Sequence, residues 1–167
     1  DNPLIVHIAA FSSLAKLVKA VPPAAEKLAR AFWPGPLTMI LPKAACIPDE
    51  VSAGLPTVAV RFPSHPAAQG VIKAARLPLA APSANLSGRP SPTTAQHVLH
   101  DLSGKIEAVL DGGPCGVGVE STGITLATPV PRLLRPGGIT LEALRDVLGE
   151  VDMDDAVLHP LKAGVRV

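Results

Sequence analysis

Nineteen prolines are scattered through the chain, and they lie between its apolar runs rather than in one block. Proline ends helices and cannot donate to a strand ladder, so this spacing predicts many short elements joined by rigid turns. Strand-like and helix-like segments alternate, with additional strands in the last third, which predicts an α/β fold with a mixed sheet. Strands are predicted at residues 2–8, 37–41, 57–62, 77–81, 106–110, 121–126 and 132–134, and helices at 12–20, 24–32, 65–75, 93–102 and 140–148.

The composition suits one globular domain with an aliphatic core. Of 167 residues, 47% are apolar, 17% are charged and 2% are aromatic, and the net charge is +1. These values argue against intrinsic disorder and against a histone-like polycation, while a local basic groove remains compatible with them. Binding of single-stranded nucleic acid on rows of aromatic rings is improbable with so few rings.

Several catalytic and metal-binding classes lack their motifs here. The chain has no CxxC pair, no HExxH, no GxSxG and no GxxxxGK[ST], and its cysteines, Cys46 and Cys115, have no spaced partner. No apolar run approaches the roughly 20 residues that span a bilayer, and no signal peptide is visible. The candidate sites are therefore polar residues near the ends of strands.

The composition changes after Gly149. Four acidic residues cluster between positions 150 and 155, and regular hydrophobic patterning fades. We therefore expect residues 1–149 to form the domain and residues 150–167 to be a tail or linker.

The most informative segment runs from residue 80 to residue 93. An apolar strand ends in a loop that carries Ser83, Asn85, Arg89 and Ser91, and a predicted helix follows. Hydroxyls, backbone N–H groups and a helix N-terminus suit a phosphate or a carboxylate. An ordinary turn rich in serine and proline is the alternative interpretation.

Two glycine-containing segments are weaker candidates. In residues 116–122 a GxG leads into Glu120 and Ser121, and in residues 133–138 Arg135 precedes a Pro-Gly turn. The guanidinium of Arg135 could bind a phosphate through its planar fork. A tight turn and a solvent-exposed arginine are the simpler interpretations of the two segments.

Two strands present polar side chains among apolar ones. Along residues 57–61, Thr57 and Arg61 share one face and the valines share the other, because side chains alternate along a strand. Arg61 in an apolar run is costly unless an anion pairs with it, either a ligand carboxylate or an internal Asp or Glu. His7 ends another apolar strand, where a structural histidine is more common than a catalytic one.

Taken together, the ordered motifs resemble those of the YrdC-like threonylcarbamoyl-AMP synthase family. They are DNPLIVHI at 1–8, WPGPLT at 33–38, TVAVR at 57–61, APSAN at 81–85, RPSPT at 89–93, VEST at 119–122 and LRPG at 134–137. The resemblance spans residues 1 to about 149. It implies an open, twisted, mixed α/β sheet with flanking helices and a concave basic face.

The resemblance also implies a reaction. L-Threonine, bicarbonate and ATP, with Mg²⁺ accompanying the ATP, would give threonylcarbamoyl-adenylate, pyrophosphate and water. The product would serve the threonylcarbamoyladenosine modification of tRNA through a downstream transferase machinery. We expect no covalent enzyme nucleophile, no protein-bound metal, no membrane contact and a cytoplasmic location, with tRNA itself as a possible partner.

Site residues follow from the resemblance motif by motif. Threonine would be held by His7, Arg61, Ala81 through its backbone, and Ser121. ATP would be held by Asn2, Thr57, Ser83, Ser91 and Arg135, with Asn85 a weaker candidate.

The resemblance implies one departure and leaves two alternatives. Family members carry a Lys-x-Arg segment before the motif at 1–8, so we expect this chain to be an N-terminally truncated fragment of the longer form, with weak or no activity of its own. Longer members also continue into a linker and a second domain. The alternatives are a module that binds structured, double-stranded RNA and a related carbamoyl-transfer domain of a larger enzyme.

Overall fold

In the computed structural model, which describes residues 2–158, seven strands form one mixed sheet. The strands are β1 (Ile5–His7), β2 (Leu37–Pro42), β3 (Thr57–Arg61), β4 (Leu79–Ala81), β5 (Thr122–Thr125), β6 (Arg132–Arg135) and β7 (Asp152–Met153). Their order is β4-β1-β3-β2-β5-β6-β7. The pairs β1–β3, β2–β5 and β6–β7 are parallel, and β1–β4, β2–β3 and β5–β6 are antiparallel. The predicted mixed α/β fold is confirmed.

The helices are mostly short. They are a 3₁₀ turn (Phe11–Ser13), α1 (Leu14–Leu17), α2 (Pro23–Phe32), α3 (Asp49–Ser52), α4 (Pro66–Ala75), α5 (Ala95–Leu102), α6 (Leu141–Leu148) and α7 (Asp155–Leu158). In α6, the Thr140 hydroxyl accepts a hydrogen bond from the Ala143 N–H at 3.1 Å, and Gly149 ends the helix at a φ of 84°. A polar N-cap and a glycine at positive φ explain these boundaries. None of the described helices is long and apolar enough to cross a membrane.

One face of the sheet packs against helices and forms the core. In β3 the valines are buried, whereas Thr57, Ala59 and Arg61 are only partly buried, as the predicted alternation requires. Fully buried side chains from this face meet those of α1, α2 and α6, and every buried apolar residue is aliphatic. They include Val6, Leu14, Ala25, Leu28, Leu37, Met39, Leu41, Val58, Val60, Ile124, Leu133 and Leu144. The opposite, partly exposed face is therefore the one that can receive a ligand; we call it the open face.

The predicted strand at 106–110 does not form. Residues 103–121 contain neither helix nor strand, and Leu110 is 70% exposed. An apolar run forms a strand only where a sheet edge accepts its backbone hydrogen bonds, and no described strand pairs with this segment. The predicted helix at 12–20 is also shorter, because α1 ends at Leu17 and Val18 forms a β-bridge with Lys43.

The predicted tail begins later than residue 150. Val151 is buried in the core, and β7 pairs with β6. The Asp154 carboxylate then accepts a hydrogen bond from the Ala156 N–H at the start of α7. Burial of Val151 and backbone pairing with the edge of β6 therefore keep this segment in the fold despite its acidic composition. Residues 1 and 159–167, including the rest of the predicted tail, lie outside the described residues.

Candidate functional site

A row of directly paired positions crosses six strands on the open face. In spatial order it contains Leu79 on β4, His7 on β1, Arg61 on β3, Thr38 on β2, Gly123 on β5 and Arg135 on β6. Neighbouring strands lie about 4.8 Å apart, so adjacent members of the row are within reach of one small ligand. We call this set the polar row. Its register brings together three residues that the sequence predicted, His7, Arg61 and Arg135.

Arg61 lies in the row without an anionic partner. Its Nε is buried and unpartnered, and none of the ion pairs among the described residues involves it. Burial, and then the nearby charge of Arg135, lower the pKa of the Arg61 guanidinium. The group stays cationic all the same, because arginine is not deprotonated in proteins. A partly buried cation with an unsatisfied donor favours an anionic ligand at this position.

His7 lies beside Arg61 in the neutral form. Burial is the larger cause and the charge of Arg61 the second cause that lower the pKa of His7 below its ordinary value of 6.5. The His7 Nδ1 lies 3.4 Å from the Leu79 carbonyl oxygen, which can only accept, so a hydrogen on Nδ1 is required for that contact. Nε2 is then left as an acceptor for a ligand donor.

Ser121 is the centre of a buried hydroxyl cluster next to the row. It is 5% exposed, and its Oγ lies 2.8 Å from the Oγ1 of Thr38. Arg135 donates from Nη2 to the Ser121 Oγ and from Nε to the Ser121 carbonyl oxygen, both at 3.0 Å. These two bonds fix the plane of the Arg135 guanidinium.

Two glycines lie beside these residues, and one of them is required for the arrangement. Gly123 lies in the row between Thr38 and Arg135, at a register shift between β5 and β6, and a Cβ there would lie 3.5 Å from the Cβ of Arg135. A Cβ at that distance would make an ordinary van der Waals contact, so Gly123 is not required there by space. At Gly137 a Cβ would collide with the backbone of Glu120 and Thr122. Only glycine lets the turn after β6 lie directly on the segment before β5.

The register shift also lets both arginines of β6 lie on the open face. Arg135 pairs with Gly123 and Arg132 with Thr125, so both arginines share a face although they are three residues apart. In a regular strand, residues three positions apart point to opposite faces. The extra residue of a β-bulge brings both arginines to the same face. The Nε of Arg132 is buried without a partner. Sequence reasoning missed Arg132, since nothing local in the chain indicates a bulge.

Glu120 connects the row to the segment that follows β4. Its Oε2 lies 2.6 Å from Nη1 of Arg135, and its Oε1 accepts a hydrogen bond from the Ser91 hydroxyl at 2.9 Å. Ser91 is therefore connected to Arg135 of the row through the carboxylate of Glu120. Glu120 and Thr38 are functional candidates to which the sequence assigned no role, because their partners are distant along the chain.

The remaining predicted residues lie away from the row. Ala81 pairs with Ile5, two positions along β1 from His7, and Thr57 lies four positions from Arg61, or about 13 Å along the strand. Asn2 precedes β1 and is exposed, and Ser83 is exposed in the loop after β4. All four lie toward the end of the sheet opposite to the row.

Asn85 has an internal role in its loop. Its Nδ2 donates to the carbonyl oxygens of Leu86 and Arg89, both at 3.0 Å, while its Oδ1 is buried without a partner. Asp101 on α5 accepts from the Leu86 N–H at 3.1 Å and from Arg89 at 2.6 Å. Desolvation alone would raise the pKa of Asp101, but these hydrogen bonds and the Arg89 charge outweigh it and hold the pKa below its usual range.

Comparison with known proteins assigns the chain to a family. Residues 1–137 match the sequence model of the Sua5/YciO/YrdC family, described as "Telomere recombination". The chain is 54% identical over 157 residues to the threonylcarbamoyl-AMP synthase of Pyrococcus abyssi, covering 94% of this chain and 46% of that protein. It is 55% identical over 174 residues to the threonylcarbamoyl-AMP synthase of Bacillus subtilis, covering 99% of this chain and 49% of that protein.

A solved structure extends the likeness to three dimensions. The crystal structure of P. abyssi Sua5 complexed with L-threonine superposes with a TM-score of 0.93 at 51% identity, covering 99% of this chain and 47% of that one. The chain thus spans about half the length of the curated relatives it matches. The resemblance drawn from the motifs is confirmed: the chain belongs to the Sua5/YciO/YrdC family.

Proposed function

We propose that this chain is the synthase domain of a threonylcarbamoyl-AMP synthase, which makes threonylcarbamoyl-adenylate and pyrophosphate from L-threonine, bicarbonate and ATP. The observation that carries the proposal is the buried, unpartnered Nε of Arg61, next to neutral His7 on the open face. The names of the relatives and the L-threonine in the P. abyssi structure support it.

In this proposal the threonine half of the reaction uses the polar row. Arg61 binds the threonine carboxylate, because its guanidinium lies beside His7 in the row and has no ion pair among the described residues. The Nε2 of His7 accepts a hydrogen bond from the amino group or the hydroxyl of threonine. The hydroxyl of Ser121 completes the pocket at the row, and the backbone of Ala81 borders it two positions along β4 from Leu79.

The nucleotide half uses Arg135 and Ser91 at one end and Asn2, Thr57 and Ser83 toward the other, with Asn85 a weaker contact. The separation of these two groups along the strands, about 13 Å between Thr57 and Arg61, is of the order of an extended nucleoside triphosphate. ATP would therefore lie across the open face beside threonine.

The chemistry needs positioning rather than an enzyme nucleophile. The threonine nitrogen forms a bond to the bicarbonate carbon with loss of water, and an oxygen of the resulting N-carboxylate attacks the α-phosphorus as pyrophosphate leaves. Both reactants are anionic, so the arginines lower their repulsion while the site aligns them. Alignment alone supplies up to roughly 7–11 kcal/mol in favourable cases, and fixed donors stabilise the developing charge.

Magnesium would enter with ATP. Among residues 2–158 no group of three His, Cys, Asp or Glu side chains could hold a metal ion. Mg²⁺ commonly binds one or two carboxylates together with substrate phosphates, which is compatible with a metal that arrives bound to ATP. Its contribution would be to neutralise phosphate charge.

The cellular setting follows from the same proposal. The product is a labile mixed anhydride, so a downstream transferase machinery that delivers the threonylcarbamoyl group to tRNA must accept it promptly. A reaction that consumes ATP and whose product serves the modification of tRNA would take place in the cytoplasm. Direct contact with tRNA is a further, separate part of the proposal.

The deciding experiment is mass detection of threonylcarbamoyl-adenylate from ATP, L-threonine and bicarbonate with the purified protein. Omission of each substrate in turn is the control, and the adduct should form only with all three. Absence of the adduct, with tight and steeply salt-dependent binding of double-stranded RNA instead, would favour the RNA-binding alternative.

A further inference from the structure

Glu120 occupies the space between two residues to which the proposed function gives a nucleotide role. One of its carboxylate oxygens accepts from Ser91 and the other contacts Arg135. A carboxylate presents two oxygens to two donors at once, as one edge of a phosphate does. Without nucleotide, this internal anion satisfies both donors.

The orientation of Arg135 does not depend on Glu120. Nε and Nη2 of Arg135 are already bonded to the carbonyl oxygen and the hydroxyl of Ser121. Nη1 is the part of the guanidinium that Glu120 contacts. Removal of the carboxylate would therefore free Nη1 for another anion and leave the guanidinium in place.

The side chain of Glu120 can move while its backbone stays fixed. The carboxylate end reaches solvent, with the side chain 45% exposed. The backbone beside it is held by the close contact with Gly137 and by the hydrogen bond from the Thr122 N–H to the Pro36 carbonyl oxygen at 2.9 Å. A rotation of the side chain therefore needs no rearrangement of the sheet.

We propose that Glu120 is a positioning residue that takes the place of a nucleotide phosphate between Ser91 and Arg135 and is displaced when ATP binds. The inference rests on the proposed function. In the unliganded protein Glu120 offsets the repulsion between Arg61 and Arg135, and it returns to Arg135 as pyrophosphate leaves. It therefore competes with the nucleotide for Arg135, which favours release of pyrophosphate.

The test compares Glu120→Gln with wild type by calorimetric titration of ATP and of inorganic pyrophosphate, each with and without Mg²⁺. An exposed ion pair contributes about 0.2–1 kcal/mol, so we expect both ligands to bind about 1.4- to fivefold more tightly to the variant. Threonine affinity should not change. Glu107→Gln removes the same charge from an exposed carboxylate that has no ion pair among the described residues, and it should leave all four titrations unchanged.

A second arm separates competition for Arg135 from a general charge effect. In an Arg135→Ala background, Glu120→Gln should no longer tighten binding, because the guanidinium for which Glu120 and the nucleotide compete is gone. Persistence of the tightening in that background overturns the inference, as does unchanged or weaker binding in the single variant. Weakening that requires Mg²⁺ would instead make Glu120 a metal ligand.

Failure of this inference is distinguishable from failure of the proposed function. If wild type forms threonylcarbamoyl-adenylate while Glu120→Gln binds ATP like wild type, only the role of Glu120 is overturned. If wild type binds neither ATP nor pyrophosphate, both proposals are overturned.

Discussion

In the polar row, backbone pairing between strands fixes the side chains, whereas in the segment of residues 82–120 a few side-chain contacts do so. Each member of the row is paired in register with the next strand, and the core packs beneath it. The segment contains α5 and no strand, and much of it is exposed. Its ties include Arg89 to Asp101, Ser91 to Glu120 and the His65 imidazole to the Gly112 carbonyl oxygen at 3.0 Å.

The comparison indicates two kinds of binding surface. The proposed threonine half is preformed by the sheet, because its spacing costs no further ordering once the protein has folded. The nucleotide half depends partly on a segment with few apolar contacts, and such segments open at lower free energy than the core. Substitutions of His7 and Arg61 should therefore act on threonine locally, and those in the segment should act on ATP through the order of the loop.

The largest expected effect is that of Arg61→Ala. Loss of the cation that we propose to bind the threonine carboxylate should weaken threonine-dependent pyrophosphate release by about a hundredfold or more, with ATP binding largely intact. Arg61→Lys keeps the charge but loses the planar fork, and it should recover only part of the activity. Arg30→Ala, an exposed arginine on α2, is the control. Equal threonine dependence in Arg61→Ala and wild type would remove Arg61 from the pocket.

Arg135→Ala should act mainly on the nucleotide. A lost charge-assisted hydrogen bond costs about 1.5–3 kcal/mol, which corresponds to a roughly tenfold to hundredfold weaker ATP affinity. Ser83→Ala should weaken ATP less, since a neutral hydroxyl contributes less than a guanidinium. ATP titrations unchanged in both variants would contradict the nucleotide assignment.

Asp101→Asn tests the segment without touching the row. Asp101 holds both the Leu86 N–H and the Arg89 guanidinium, and the charge loss weakens both contacts. We expect a several-fold higher KM for ATP, an unchanged KM for threonine and faster amide exchange within residues 82–102. An equal rise in both KM values would show that the segment and the row are one cooperative unit.

The smallest effect concerns pH. Burial and Arg61 lower the pKa of His7, so the folded protein binds fewer protons at this site than the unfolded chain does. The stability contribution is constant above pH 6.5 and is lost as pH falls from 6.5 through the lowered pKa. His7→Gln should remove this component from the pH dependence of Tm, whereas His97→Gln, at an exposed position, should not. An NMR titration of His7 with a midpoint at or above 6.5 would contradict the assignment.

Local sequence signals predicted much of the fold. The segments that became β2 and β3 combine apolar and β-branched residues with a proline boundary, and the first turn of α2 carries proline where a helix tolerates it. The run at 106–110 has a similar composition and forms no strand. The segments of β2 and β3 have neighbouring strands to pair with and the run at 106–110 has none among the described residues. Local sequence does not show whether such a neighbour exists.

The sequence predicted the site residues that lie in recognisable motifs. It missed those that only the pairing of the strands brings together. Arg61 and His7 were found from polar residues in apolar strands and from the family motifs. The contact of Thr38 with Ser121 joins residues 83 positions apart, and Arg132 reaches the open face through a register shift. Both depend on how β5 pairs with its neighbours, which only the folded sheet reveals.

The most direct test of the central claim, that Arg61 provides the anion-binding position of the row, is calorimetric binding of L-threonine against L-threoninol, which lacks the carboxylate. Wild type should bind L-threonine and show no measurable affinity for L-threoninol, and Arg61→Ala should bind neither. Equal affinity of wild type for the two ligands would contradict the account.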